Sequence, residues 1–311
     1  MRLAFLGTPA FAVPTLEAIV AAGHRVAAVL TQPDRPRGRG QNPAASPVKE
    51  TALKLGLEVY QPERVRRPEA VEYLRALGCD AMVVVGYGQI IPQIVIDLAP
   101  FGIINVHASL LPKYRGAGPI QWAIVRGETR TGVTTMRINA GLDTGDMLLK
   151  AETEIGPDET AVELGKRLAV MGAALLVETL DGLQAGRIVP EPQDHAHATL
   201  APLIKKEDGV INWVCSSKSI HNQVRGLQPW PGAQTRFRGL PLQVLKTRVA
   251  GQGSAGAPGS IASLKPPVVH CGEGLLELVE VQLEGRKRIS AADFANGQRL
   301  TENDILGEPR N

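Results

Sequence analysis

Residues 2–30 read RLAFLGTPAFAVPTLEAIVAAGHRVAAVL, and this stretch decides the fold. An apolar run over 2–6 predicts a strand, apolar spacing over 11–22 predicts a helix, and residues 24–30 predict a second strand. Two strands joined by a helix in this order form a parallel pair with a right-handed crossover. The chain therefore opens as an α/β protein.

The turn after the first predicted strand contains a single glycine, Gly7. Dinucleotide-binding folds use a G-x-G-x-x-G pattern there, because the further glycines let the pyrophosphate approach the backbone. The pattern is missing from this turn, which argues against NAD as a cofactor.

The alternation of strands and helices continues beyond this opening. Continuous apolar runs predict buried strands over 80–85 and 102–106, as is typical of parallel sheets. Helical spacing predicts a long helix over about 159–181. Together these patterns predict an N-terminal doubly wound, mostly parallel, Rossmann-like sheet.

Two polar side chains fall where the strand predicted over 102–106 ends. Asn105 and His107 are two positions apart, so on an extended backbone both side chains leave the same face. Open α/β sheets bind ligands beyond the carboxyl ends of their strands, which makes the pair a candidate catalytic centre. A turn-capping asparagine and a hydrogen-bonded core histidine would show the same spacing.

Composition sets wide limits on function. The 311 residues carry a formal net charge of +3, which permits a nucleic-acid partner without demanding one. The three cysteines lack C-x-x-C spacing and the six histidines lack metal-binding spacing, so neither a disulfide framework nor a metal site is predicted. No signal peptide or membrane-length apolar run is recognised, and a cytoplasmic protein is expected.

The composition changes after the long predicted helix. We predict a catalytic domain over 1–187, a linker with no periodicity over 188–206, and a C-terminal domain over 207–311. Short alternating runs broken by glycine and proline dominate the last part, with one helix predicted over 217–226. Such runs predict a small β-barrel of the kind that holds oligonucleotides, as the OB fold does.

A loop over 31–43 is rich in arginine, proline and glycine. The loop contains Arg35, Arg37 and Arg39 at alternate positions, and Gly38 and Gly40 flank Arg39. Closely spaced guanidinium groups on an exposed loop suit phosphate contact. A solvated connector is the alternative for the loop.

Several short motifs, in order along the chain, resemble those of the 10-formyltetrahydrofolate-dependent formyltransferases. They are Asn105-Val106-His107, Ser109-Leu110-Leu111-Pro112, Arg115-Gly116 and Leu142-Asp143-Thr144-Gly145. The resemblance implies a doubly wound catalytic domain followed by a barrel similar to an OB fold. It also implies transfer of a formyl group from 10-formyltetrahydrofolate to a primary amine, without a metal.

The resemblance also implies roles for single residues. Asn105 would donate its amide N–H to the oxyanion, and His107 would donate to the same oxygen or take part in proton transfer. Asp143 would orient the imidazole; spacing alone leaves Asp146 as an equal candidate, and only the resemblance selects Asp143. The implied folate-binding residues are Gly88, Gln89, Ile90, Ile91, Ser109, Leu110, Leu111 and Pro112.

The arginine loop bears on the amine acceptor. It is similar to the insertion that family members acting on methionyl-tRNA place at the acceptor stem. The resemblance therefore implies initiator methionyl-tRNA as the partner, in translation initiation, with an amino-sugar nucleotide as the alternative acceptor. A monomer is expected. The residues predicted to bind tRNA are Arg35, Arg37, Arg39, Lys205 and Lys206.

Overall fold

The computed structural model describes residues 1–37, 42–253 and 255–307, and the chain forms two compact units. The first unit comprises Met1–Pro119, Arg130–Glu154 and Gly165–Ala201. The second comprises Ile120–Thr129, Ile155–Leu164 and Pro202–Asn311. This division differs from the predicted one, since most of the predicted linker joins the first unit and two internal segments join the second. The extent of the functional domains stays a prediction.

The first unit contains a seven-stranded sheet in the order β5-β2-β1-β6-β7-β8-β9. Its strands are β1 (Arg2–Gly7), β2 (Arg25–Leu30), β5 (Val59–Tyr60), β6 (Ala81–Val85), β7 (Ile103–His107), β8 (Arg130–Arg137) and β9 (Met147–Glu154). The neighbouring strands β5, β2, β1, β6 and β7 pair in parallel. Strand β8 pairs antiparallel with β7, and β9 pairs antiparallel with β8. The predicted Rossmann-like, mostly parallel sheet is confirmed.

A separate two-stranded ribbon follows β2. It consists of β3 (Arg35–Arg37) and β4 (Asn42–Ala44), which pair antiparallel with each other. Arg35 and Arg37, two of the predicted tRNA contacts, therefore lie on β3. Arg39 lies outside the described residues.

The helices begin where local sequence favours them. They are α1 (Val13–Ala21), α2 (Pro47–Lys54), α3 (Pro68–Ala76), α4 (Gln93–Ile96), α5 (Pro119–Val125) and α6 (Ala161–Gln184). Before α2, the Ser46 hydroxyl accepts a hydrogen bond from the Lys49 N–H, and Pro47 fits the first turn. The helix predicted over 159–181 corresponds to α6.

The sheet of the first unit is buried on both faces. Along β1, Leu3 and Phe5 pack into one apolar cluster with α1, while Ala4 and Leu6 pack into another. Burial on both faces explains why the strands appear in the sequence as continuous apolar runs instead of alternating ones.

The second unit is built on a six-stranded antiparallel sheet. Its strands are β10 (Ala233–Phe237), β11 (Leu240–Gly251), β12 (Ile261–Leu264), β13 (Pro267–His270), β14 (Leu275–Leu283) and β15 (Ile289–Ser290). The order is β10-β11-β14-β13-β12, with β15 pairing β14. Helices α7 (Ser217–Gly226) and α8 (Ala291–Gln298) accompany it.

The closed barrel predicted for the C-terminal part is not found among the described residues. No ladder joins β10 to β12 there, although Leu306 forms a bridge with Phe237 and Ile305 with Ser260. Apolar alternation predicts strands and their buried faces, but barrel closure depends on pairing between distant strands, which the pattern does not contain.

The described ranges contain neither a membrane-crossing helix nor a cluster of metal-binding side chains. No helix in them has both the length and the apolar character needed to cross a bilayer. Nor do they contain a group of three or more histidine, cysteine, aspartate or glutamate residues that could hold a metal ion.

Candidate active site

Strand β7 carries Asn105 and His107 to the carboxyl end of the parallel strands. It pairs with β6 in parallel and with β8 antiparallel, so it lies inside the sheet. All of its residues are buried, and Asn105 and His107 expose 9% and 5% of their surface. The structure therefore brings the two polar side chains to the strand end that the sequence predicted.

The imidazole of His107 is engaged on both nitrogens. Nε2 lies 2.9 Å from the carbonyl oxygen of Tyr114, which can only accept, so this nitrogen carries a hydrogen. Nδ1 lies 3.8 Å from Oδ2 of Asp143. That distance fits an ion pair but is too long for a hydrogen bond. Asp143, and not Asp146, supplies the carboxylate that lies beside Nδ1 of His107 in the described part of the chain.

Hydrogen bonds hold both the carboxylate and the backbone of Asp143 in place. The Gly116 N–H donates to its Oδ2 at 2.9 Å. Asp143 itself has a φ of +49°, which is uncommon for a residue other than glycine. The amide Nε2 of Gln193 donates to the carbonyls of Asp143 and Gly145 at 2.9 and 2.7 Å. Gly116 therefore fixes the carboxylate of Asp143, and Gln193 fixes the backbone of its turn.

The side-chain amide of Asn105 is not engaged by the described residues. No hydrogen bond from residues 1–37, 42–253 or 255–307 reaches it. A turn-capping role would need such a bond, so that alternative lacks support. An amide N–H that no described residue engages, two residues before the imidazole on the same strand, is a suitable donor for an oxyanion.

The segment after His107 is pinned to β8. Thr134 Oγ1 donates to the carbonyl of Ser109 at 2.7 Å and accepts from the Leu111 N–H at 3.1 Å. Ser109 Oγ donates to the carbonyl of Lys113 at 2.6 Å. Ser109 and Leu111 are buried, while Leu110 and Pro112 are partly exposed. The predicted folate-binding motif therefore turns only alternate residues toward solvent.

The loop after β6 shows a similar division. Gln89 is bound to the protein itself, because its Oε1 accepts from the Val65 N–H at 2.7 Å. Gly88 adopts a φ of +80°, and Ile90 is 93% exposed. Ile91 is partly buried in an apolar cluster. Of the predicted folate contacts in this loop, Ile90 offers the most surface.

Tyr87 lies within the same loop but faces the core. Its hydroxyl has no hydrogen-bond partner among the described residues, and burial raises its pKa. Its carbonyl accepts hydrogen bonds from Thr8 Oγ1 and Gln32 Nε2, both at 3.1 Å. The backbone of the loop is therefore tied to β1 and β2 at the strand ends.

The predicted tRNA contacts are distributed over both units. Arg35 is exposed on β3, next to Asp34. The ammonium group of Lys49 donates to the Asp34 carboxylate at 2.5 Å, and this hydrogen bond lowers the pKa of Asp34. Lys205 and Lys206 are exposed and belong to the second unit.

Sequence reasoning missed one residue of the site. Gln193 is 5% exposed and contacts the Asp143 turn, although its segment was predicted to be a linker. Its Oε1 also accepts from Nε and Nη2 of Arg115, at 2.9 and 2.6 Å. A glutamine after two prolines, in a stretch without periodicity, gives no signal of burial.

Comparison with known proteins extends these observations. A model of the family described as formyl transferase matches residues 1–180, and a model of the formyl transferase C-terminal domain matches residues 203–299. A protein of Solibacter usitatus named methionyl-tRNA formyltransferase is 76% identical over 308 residues, covering 99% of each chain.

Two solved structures share the fold at lower identity. HypX from Aquifex aeolicus in complex with tetrahydrofolic acid is 17% identical, with a TM-score of 0.65 over 95% of this chain and 47% of that one. An N-formyltransferase from Helicobacter canadensis in complex with folinic acid and dTDP-3-aminofucose is 18% identical. Its TM-score is 0.65 over 89% of this chain and 99% of that one.

These matches confirm the resemblance drawn from the short motifs. The two family models together span most of the sequence, and the identity to the Solibacter usitatus protein extends over nearly all of it. The chain belongs to the formyl transferase family.

Proposed function

We propose that this protein transfers the formyl group of 10-formyltetrahydrofolate to the amino group of initiator methionyl-tRNA. The observation that carries the proposal is the 76% identity to a methionyl-tRNA formyltransferase over 99% of the chain. The placement of Asn105 and His107 at the end of β7, with the Asp143 carboxylate 3.8 Å from His107, supports it, because these groups suit acyl transfer to an amine.

The reaction is a direct transfer. The amino nitrogen attacks the formyl carbon, a new C–N bond forms, and the carbonyl oxygen becomes an oxyanion. When the oxyanion collapses, the bond between the formyl carbon and N10 of the folate breaks. The amine loses one proton and N10 gains one, so the step needs no oxidant and no covalent enzyme intermediate.

Each site residue has a role in this scheme. Asn105 donates its unengaged amide N–H to the oxyanion. Nε2 of His107 already donates to the Tyr114 carbonyl, which leaves Nδ1 to exchange the proton. Asp143, 3.8 Å from Nδ1, orients the ring and stabilises its protonated form during the transfer.

The folate ring system lies, in this proposal, between two loops at the ends of β6 and β7. Leu110, Pro112 and Ile90 are the predicted folate residues with exposed surface, so they make side-chain contacts with the ligand. Gly88, Gln89, Ile91, Ser109 and Leu111 shape the backbone around it. A pocket with an apolar surface and few polar groups is typical for a flat ligand.

The tRNA is held by cationic groups on both units. Arg35, Arg37 and Arg39 contact its acceptor end, and Lys205 and Lys206 contact its backbone. The C-terminal domain, proposed as an OB-like barrel over 207–311, supports the tRNA. The bridges from Ile305 and Leu306 to Ser260 and Phe237 favour closure of this barrel. We further propose a monomer that acts in the cytoplasm, where translation begins.

The second candidate function is formylation of an amino-sugar nucleotide. It is favoured by the shared fold with the Helicobacter canadensis enzyme, whose structure contains dTDP-3-aminofucose. Identity to that enzyme is 18%, far below the identity to the Solibacter usitatus protein. The arginine loop, which suits contact with a nucleic acid, also favours tRNA as the formyl acceptor.

One assay separates the two acceptors. Purified protein is incubated with 10-formyltetrahydrofolate and either methionyl-tRNA or dTDP-3-aminofucose, and formylated product is measured over time. We expect product with methionyl-tRNA alone. Product with the sugar nucleotide and none with methionyl-tRNA would overturn the proposal.

The arginine loop gives a second, finer test of the acceptor. Arg39→Ala should raise the KM for methionyl-tRNA several-fold at low salt and less at moderate salt, because fewer phosphate charges are neutralised. Arg75→Ala is the matched control: Arg75 is exposed in the last turn of α3, before the chain enters the amino end of β6, whereas the proposed site lies at the carboxyl ends of the strands. An unchanged KM for Arg39→Ala at both salt concentrations would favour the sugar nucleotide.

A further inference from the structure

Gln193 lies in a segment without regular structure that is nevertheless anchored to the sheet. Two residues earlier, Glu191 exchanges two backbone hydrogen bonds with Met147, the first residue of β9, both at 2.8 Å. This anchor fixes the backbone on which Gln193 stands. Gln193 is buried, so its amide must find partners within the protein.

The Gln193 amide nitrogen joins two carbonyls of the Asp143 turn. Its two hydrogens reach the carbonyls of Asp143 and Gly145, one on each side of Thr144. Asp143 has a positive φ, a conformation that persists only where the surroundings hold it. The amide nitrogen therefore holds the turn in the form that presents the carboxylate to His107.

The Gln193 amide oxygen binds the side chain of Arg115, the residue before Gly116. It accepts two hydrogen bonds from the buried guanidinium of Arg115. The backbone of Arg115 is itself paired with Thr199 and Ala201, through bonds of 2.8 and 2.7 Å. The next residue, Gly116, supplies the N–H that binds the Asp143 carboxylate.

One side chain thus connects the backbone of the Asp143 turn with the segment that binds its carboxylate. We propose that Gln193 is a positioning residue that sets the place of the Asp143 carboxylate relative to His107; this rests on the catalytic role proposed for Asp143. Among the described residues, the hydrogen bonds of the Gln193 side chain run to Arg115, Asp143 and Gly145 and not to His107 or Asn105, so we expect it to act on the reaction through the position of Asp143. Geometry at such a site is critical, because misplacement by about 1 Å can lower a rate by roughly a hundredfold.

Gln193→Glu tests the proposal by replacing the amide nitrogen with an oxygen while keeping the oxygen that accepts from Arg115. The carboxylate still accepts from Arg115, so the buried guanidinium keeps its partner. The donor to the two carbonyls is replaced by an oxygen that repels them, and the Asp143 turn is released. We expect kcat to fall by about tenfold while the KM values for methionyl-tRNA and folate stay within about twofold.

The second unit offers a matched control. Nε2 of Gln223 also joins two carbonyls two residues apart, those of Asp208 and Val210, at 2.8 and 3.0 Å. Gln223→Glu breaks the same kind of contact in a turn that does not contain Asp143, so it should lower the melting temperature and leave kcat unchanged. If Gln193→Glu does not fold well, Gln193→Met, which keeps the volume, is measured at reduced temperature with kcat corrected for the folded fraction.

The outcomes separate this proposal from the one on which it rests. A tenfold loss of kcat in Gln193→Glu and none in Gln223→Glu supports the positioning role. Unchanged kcat in Gln193→Glu, with a large loss in Asp143→Asn, overturns the positioning role and leaves the proposed function standing. Unchanged kcat in Asp143→Asn overturns the role of Asp143 and the positioning role with it.

Discussion

Two buried histidines, His107 in the first unit and His221 in the second, have closely similar neighbours. His107 lies beside the Tyr114 carbonyl and 3.8 Å from Asp143. His221, on α7, lies 3.3 Å from the Pro157 carbonyl and 3.4 Å from Asp158. We assign the chemistry only to His107, so a histidine–aspartate pair alone does not mark an active site.

The difference lies in how the partner carboxylate is held. The Asp158 side chain is 78% exposed, whereas that of Asp143 is 19% exposed and bound by the Gly116 N–H. The remaining ring nitrogen of His221 is taken by Thr247 Oγ1 at 3.0 Å. The amide oxygen of Asn222, next to His221, accepts from Arg225 Nε at 3.0 Å. No hydrogen bond from the described residues reaches the amide of Asn105, two residues before His107. A fixed carboxylate and a free donor therefore distinguish the candidate site from a satisfied core histidine.

The largest effect is expected from the side-chain amide of Asn105. Asn105→Ala removes the proposed oxyanion donor and should lower kcat by about 100- to 1000-fold. Because no described residue bonds this amide, the melting temperature should hardly change. Steady-state kinetics and thermal unfolding check both statements, and a variant with near wild-type kcat would remove Asn105 from the mechanism.

Replacement of Asp143 should lower kcat far more than replacement of Asp158. Asp143→Asn keeps an oxygen to accept from Gly116 but loses the charge beside His107, so kcat should fall by roughly a hundredfold. Asp158→Asn alters an exposed pair, which contributes little. Its kcat should stay within about twofold of the wild type. Equal losses in the two variants would remove the distinction between the histidines.

The support of the Asp143 carboxylate can be disturbed from the backbone. Gly116 has a φ of +118°, and a Cβ there would lie 2.6 Å from the Ala201 carbonyl oxygen. Gly116→Ala should therefore lower the free energy of unfolding by about 1–3 kcal/mol and also lower kcat. Gly78→Ala is the control, since its φ is +56° but no atom lies within 4 Å. A loss of stability in denaturant melts no larger than the control's would contradict the close approach.

The pH dependence of stability tests the structural assignment of His221. The pKa of His221 is lowered below 6.5 in the folded protein, and burial is the largest cause of this shift. The contribution of neutral His221 to the free energy of unfolding is complete above the pKa of the unfolded chain. It is lost as pH falls below about 6.5, because the unfolded chain then binds a proton more readily than the folded protein does. The decrease should not exceed about 1.4 kcal/mol per pH unit, the limit for one proton. Melting temperatures between pH 7.5 and 5.5 should fall less in His221→Gln than in the wild type, and equal slopes would refute this.

The sequence predicted those parts of the fold that depend on local pattern. Continuous apolar runs marked β1, β6 and β7 as parallel buried strands, and helical spacing marked α6. The helix predicted over 217–226 corresponds to α7. The antiparallel direction of β8 and β9 and the unclosed ladder between β10 and β12 depend on distant pairing, which no local pattern contains.

The candidate site was predictable to the same extent. Asn105 and His107 follow from a strand end and a two-residue spacing. Asp143 could not be chosen over Asp146 by spacing, because the choice is made by the turn that Gln193 and Gly116 hold. Gln193 itself was assigned to a linker. Its burial follows from contacts with residues far away in the sequence, such as Arg115.

The central claim is that His107 performs the chemistry and His221 does not. Single-turnover formylation of methionyl-tRNA, with enzyme in excess and 10-formyltetrahydrofolate saturating, removes binding from the comparison. We predict that His107→Ala slows the transfer by about a hundredfold or more, whereas His221→Ala, corrected for its folded fraction, transfers at the wild-type rate. Similar rates for the two variants would contradict the account.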